Sequence, residues 1–127
     1  MIPMNKPNGT GLTRIFKAAV CTYKGFGAAL RHEAAFRQEL LLAALLCPVA
    51  FYIAETRSQL LLLILSLLLL LLTELVNSAL EALADAISLE HNELLGRAKD
   101  MGSAAVFIAI VCVTLVYGDA IYHSFLM

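Results

Sequence analysis

Residues 60–72 read LLLLILSLLLLLL, thirteen positions interrupted only by Ser66. A run this apolar has no place on a water-exposed surface. With its flanks it approaches the roughly 20 residues that a helix needs to cross a bilayer core of about 30 Å. Backbone polar groups find no water there, so a spanning segment is a helix or part of a closed barrel. A leucine run without period-2 alternation points to the helix.

The rest of the chain agrees. Of its 127 residues 61 % are hydrophobic, against about 45–50 % in an ordinary soluble domain. The expected fold class is all-α and integral to the membrane, with three transmembrane helices and an N-terminal amphipathic surface helix. The whole chain, 1–127, reads as one membrane domain. The net charge of −1 and the lack of basic runs point away from a nucleic-acid partner. Cys21, Cys47 and Cys112 are far apart and sit in helical contexts, so they read as small apolar residues rather than disulfide or metal ligands. No secretory signal is expected, because the first apolar run starts near residue 40.

Residues 1–10, with Pro3, Pro7, Asn8 and Gly9, suggest a flexible tail. Thr10 or Thr13 suits the N-cap of a helix over 11–33. There Leu12, Ile15, Phe16, Ala19, Tyr23, Phe26 and Leu30 recur at helical spacing among Arg14, Lys17, Lys24 and Arg31. Such a basic amphipathic helix suits the membrane interface, the alternative being a helix packed on its own soluble domain. The spans are expected at 36–55, 60–87 and 101–125. A kink is expected at Pro48, a polar turn at 55–58, and a polar loop, SLEHNELLGRAKD, at 88–100. Six of the nine Lys and Arg residues lie at or before the start of the first span, two lie in the second loop, and only Arg57 lies in the opposite turn. By the positive-inside rule the amino terminus and the 88–100 loop are cytoplasmic.

The second span carries an anomaly. Glu74, Asn77, Ser78, Glu81, Asp85 and Ser88 are spaced by three or four, and so share one helix face. With Glu81 at the interface, Glu74 lies about 10 Å deeper, at roughly 1.5 Å per residue. An ionisable residue at that depth marks function by default. The other reading is a stripe that glues helices together. Two acids on one face repel, however, and require a cation or protons. Carboxylates with an amide oxygen suit Mg²⁺, which is often bound by one or two carboxylates together with substrate phosphates. Glu33 closes the surface helix beside the membrane, and Lys99 and Asp100 precede the third span on the same side. A lysine there supplies charge for phosphate. No P-loop or protein-kinase signature is present.

Several blocks go further. EAAFRQE (33–39), ELVNSALEALAD (74–85) and ELLGRAKDMGSAAVFIAI (93–110) closely resemble the bacterial integral-membrane diacylglycerol kinases, as do GLTRIFKAA (11–19) and YKGFGAA (23–29) in the surface helix. The resemblance implies a homotrimer in the bacterial inner membrane, with its amino terminus cytoplasmic. It implies Mg²⁺-dependent transfer of the ATP γ-phosphate to diacylglycerol, giving phosphatidic acid, at the cytoplasmic face. It also implies that Glu74 is the catalytic base and that Glu33 and Glu81 are metal-linked carboxylates of the nucleotide site. Asn77, Glu90, Lys99 and Asp100 would be nucleotide-site residues, Arg14 a further contact, and Ser103 a residue on the lipid side. Cys21, Tyr23, His91 and Asn92 depart from the family pattern. A related kinase acting on undecaprenol remains an alternative, as does a non-catalytic or proton-coupled small membrane protein.

Overall fold

The computed structural model describes residues 10–88 and 90–126. Of the tail expected at 1–10, residues 1–9 lie outside the described residues. Four helices follow one another: α1 Gly11–His32, α2 Ala34–Ile53, α3 Arg57–Ile87 and α4 Glu93–Phe125. The last three are long and apolar enough to cross a membrane. They run up, down and up, so α2 and α4 end together. Tyr52 and Phe125 stack there, ring centroids 6.4 Å apart.

Each junction has a local cause. At Glu33 the backbone turns extended (φ −117°, ψ 103°), ending α1 and starting α2. Arg37 steadies this corner: its Nη1 donates to the carbonyls of Leu30 and Arg31 at 2.8 and 3.3 Å. Those carbonyls have no onward helical partner, and a cation suits that end of the helix dipole. At the other end of α2, Gln59 N–H donates to Thr56 Oγ1 and Glu55 N–H donates to Gln59 Oε1. This exchange, close to a capping box, starts α3 at Arg57.

The expected loop at 88–100 is shorter in the structure, because residues 93–100 are already helical. Asn92 Oδ1 accepts from the N–H groups of Leu94 and Leu95, and Glu93 sits in the first turn, where the helix dipole favours an acid. The third membrane helix therefore continues about two turns beyond the predicted span. At the other end of the chain, Thr10 takes the N-cap position of α1 but makes no side-chain capping bond.

The packing is close and uses small residues. α4 buries Gly102, Val106, Ala109, Val113, Tyr117 and Ala120, a three-four repeat. All but Gly102 share one cluster with Leu63, Leu67 and Leu70 of α3 and Ala43 and Ala50 of α2. Small side chains let helix backbones approach closely in a membrane, where dispersion rather than water exclusion drives association. Only 28 % of the most apolar window of α3 is buried inside the chain, so its leucines face outward on most sides. The helix α1 buries only Ala29, and Leu12, Ile15, Phe16 and Tyr23 are exposed. That unpartnered apolar stripe is the expected geometry of a surface helix.

Candidate functional site

Two sets of polar residues in the three long helices behave differently. Ser66, Thr73 and Thr114 return their hydroxyls to the carbonyls of Leu63, Leu70 and Ile110 on their own helices. Tyr117 donates to the carbonyl of Leu46, 2.9 Å away on α2. All four are satisfied locally or by one neighbour. The second set, Glu39, Glu74 and Asn77, turns to other side chains instead: the Glu39 and Glu74 carboxyls meet, and Asn77 reaches Glu81.

The buried face of α3 produces this arrangement. Leu63, Leu67 and Leu70 lead along one face to Glu74, Asn77 and Ser78, which are just as buried. The polar stripe therefore continues the packing face itself. Glu74 is 4 % exposed. Together with Asn77 and Glu81 of α3, Glu33 at the α1–α2 corner and Ser103 of α4, it lines a cavity of about 370 Å³. Asn77 Nδ2 donates to Glu81 Oε1 at 3.3 Å. The Asn77 oxygen is buried with no hydrogen-bond partner, and it presses on α4 at Gly102. A Cβ at position 102 would collide with it. Gly102 thus provides the room that the Asn77 side chain occupies.

A larger apolar groove of about 620 Å³ lies alongside, between α1 and α3, with Phe26, Ala29, Leu75 and Ala82 among its walls. Glu33 lines both spaces, so the apolar groove and the carboxylate cavity meet at that residue.

Beyond the cavity, Lys99 Nζ donates to Asp85 Oδ1 at 2.6 Å. That hydrogen bond raises the Lys99 ammonium above the ordinary lysine range. Slight desolvation opposes the shift, and the charges of Asp85 and Glu81 add to it. Lys99 is therefore within electrostatic reach of the cavity's Glu81. Among the described residues no three His, Cys, Asp or Glu side chains converge tightly enough to enclose a metal. The oxygen donors that do gather, Glu33 and Glu81 with Glu74 beside them, are the hard, partial set that suits Mg²⁺ bound jointly with phosphates.

A sequence profile described as prokaryotic diacylglycerol kinase matches residues 20–120. The chain belongs to this family. Diacylglycerol kinases with which it shares most of its length include those of Haemophilus influenzae, at 43 % identity over 89 % of this chain and 96 % of the relative. That of Escherichia coli K12 is 45 % identical over 93 % of this chain and 97 % of the relative. That of Pseudomonas aeruginosa is 47 % identical over 92 % and 95 %.

Within this member of the diacylglycerol kinase family, five of the residues singled out from sequence stand round one cavity: Glu33, Glu74, Asn77, Glu81 and Ser103. Lys99 is held near them by Asp85. Arg14, Glu90 and Asp100 are exposed and do not line the cavity. The Glu90 N–H donates to Ser88 Oγ in the short loop. Arg14 also precedes the family match.

Sequence reasoning missed two residues, Glu39 and Gly102, and one pairing, Asp85 with Lys99. Glu39 of α2 brings its carboxyl against that of Glu74, and its Oε2 is buried without a hydrogen-bond partner. Two carboxyls this close inside an apolar bundle are costly unless a proton or cation lies with them. An acid one turn inside the first span was the available signal. Asp85 belonged to the stripe, but its partner Lys99 is fourteen residues away across a loop. Gly102 carried no signal until the helices were packed.

Proposed function

We propose that this protein transfers the γ-phosphate of ATP to the free hydroxyl of diacylglycerol, giving phosphatidic acid and ADP. The observation that carries the reading is the cavity shared by Glu33, Glu74, Asn77, Glu81 and Ser103 at one end of an apolar bundle, in a chain of this family. A lipid hydroxyl is anchored near the membrane surface, and the apolar groove joining the cavity at Glu33 suits an acyl chain. The hydroxyl oxygen bonds to the γ-phosphorus, the bond to the bridging oxygen breaks and ADP departs. Glu74 takes or orients the hydroxyl proton.

Glu33 and Glu81 would hold Mg²⁺. When bound there it neutralises charge on the β- and γ-phosphates. Asn77 fixes the Glu81 carboxylate through its hydrogen bond. Lys99 supplies positive charge for a phosphate, and Ser103 lies on the lipid side. Arg14, Glu90 and Asp100 would close on the nucleotide from the surface helix, the loop and the first turns of α4. The bias of Lys and Arg supports an orientation with the amino terminus and this site on the cytoplasmic face of the bacterial inner membrane. A homotrimer accounts for the outward leucines of α3, which three copies would partly cover.

The test is phosphorylation by the purified protein in mixed micelles with labelled ATP, Mg²⁺ and either diacylglycerol or undecaprenol. Label is expected in phosphatidic acid. Label only in undecaprenyl phosphate would move the protein to the other lipid. Label in neither would reject the kinase reading in favour of a non-catalytic or proton-coupled membrane protein.

A further inference from the structure

Asp85 has no part in the scheme above, yet it makes the shortest ion pair among the described residues, 2.6 Å to Lys99 Nζ. Stability does not explain the contact. The two side chains remain 49 % and 41 % exposed, and ion pairs so wetted add little to folding. Position explains it better. Asp85 lies one turn beyond Glu81 on α3, and Lys99 lies one turn before Ser103 on α4. Glu81 and Ser103 both line the carboxylate cavity. The pair therefore sits one turn further toward the end of the bundle than the cavity, and Lys99 also feels the charge of Glu81.

A lysine side chain is a flexible four-carbon stem, and left alone it spreads its charge over many rotamers. Its ammonium has three donors. Asp85 occupies one and fixes the direction of the stem, leaving two for phosphate oxygens. Glu93 holds Arg97 in its own pair at 2.9 Å, so that neighbouring cation is not offered to Asp85.

We propose that Asp85 is a positioning residue for phosphoryl transfer, holding the Lys99 ammonium beside the carboxylate cavity so that its remaining donors meet the nucleotide phosphates. The proposal rests on the reading of Lys99 as a phosphate contact. Asp85 touches neither substrate and acts through Lys99 alone.

A double-mutant cycle on the full-length protein in mixed micelles separates this role from a structural clip. Asp85→Asn, Lys99→Met and the double variant are compared for ATP KM, lipid KM and kcat, with oligomeric state checked on each preparation. Asp85→Asn should raise the ATP KM about 10-fold, below the ~10²-fold that a 1 Å misplacement at the reacting centre can cost. The lipid KM should hold, and Asp85→Glu should recover most of the loss. In the Lys99→Met background, Asp85→Asn should change nothing further. A raised ATP KM in Lys99→Met with none in Asp85→Asn overturns the proposal alone. So does an equal loss from Asp85→Asn in both backgrounds, or a loss that tracks disassembly. An unchanged ATP KM in Lys99→Met removes the phosphate role of Lys99, and the proposal with it.

Discussion

The two ends of α3 are built from the same helix face and treat polarity in opposite ways. From Arg57 as far as Thr73, Ser66 and Thr73 bond to carbonyls three residues back, and that part of α3 can be buried in hydrocarbon without further partners. Toward Ile87, Glu74 meets an acid from another helix, and Asn77 divides its amide between Glu81 and an unpartnered oxygen. A polar side chain satisfied within its own helix is compatible with any neighbour. One left facing other polar groups across a helix boundary is compatible only with a specific occupant. The difference distinguishes scaffold from site more sharply than hydropathy does, because both ends lie within one apolar helix.

The comparison breaks most visibly at Glu74. Glu74→Gln keeps shape and hydrogen-bonding capacity, and loss of general-base help should lower kcat by roughly 10²–10⁴-fold. Steady-state phosphorylation in mixed micelles measures it. At the acids proposed to hold Mg²⁺, Glu33→Gln and Glu81→Gln should each raise the free Mg²⁺ needed for half-maximal rate by at least about 10-fold, since each would remove a hard anionic ligand. A Mg²⁺ titration that superimposes on the parent curve for both variants would take them out of the metal site.

Gly102→Ala is the intermediate case. Alanine favours the helix by up to ~1 kcal/mol, yet its methyl group meets the Asn77 oxygen. A fall in kcat of about 10-fold is expected as Asn77 shifts and releases Glu81, within the ~10²-fold that a 1 Å displacement can cause. Retained assembly with lost rate would mark Gly102 as a supporter of the site. On the scaffold side Ser66→Ala and Thr73→Val should cost no more than about 0.6 kcal/mol of stability, the average for side-chain hydrogen bonds between helices inside a membrane. Their kcat should stay within about twofold of the parent, because bonds to their own helix carry no positional information for the site.

Much of this is legible in the sequence. Apolar runs and their polar breaks placed four helices in order, and the three-four spacing of Glu74, Asn77, Ser78 and Glu81 put them on one face. Spacing describes a single helix, however, and the site is made between helices. Glu39 and Glu74 are thirty-five positions apart and share no periodicity, so their meeting depends on how α2 packs on α3. Gly102 has meaning only through the side chain that fills its space. Residues 93–100 read as loop because they are polar, but a capped helix that projects beyond the membrane is polar as well.

The most direct measurement pairs the two neighbours at the boundary. Thr73→Val and Glu74→Gln are compared in one assay for kcat, nucleotide binding and oligomeric state. If Glu74 is the base and Thr73 is scaffold, both variants assemble and bind ATP, Thr73→Val keeps its rate, and Glu74→Gln loses at least about 10²-fold. A near-normal kcat for Glu74→Gln, or equal losses in the two variants accompanied by failed assembly, would contradict the account and leave the acidic stripe as an element of helix packing.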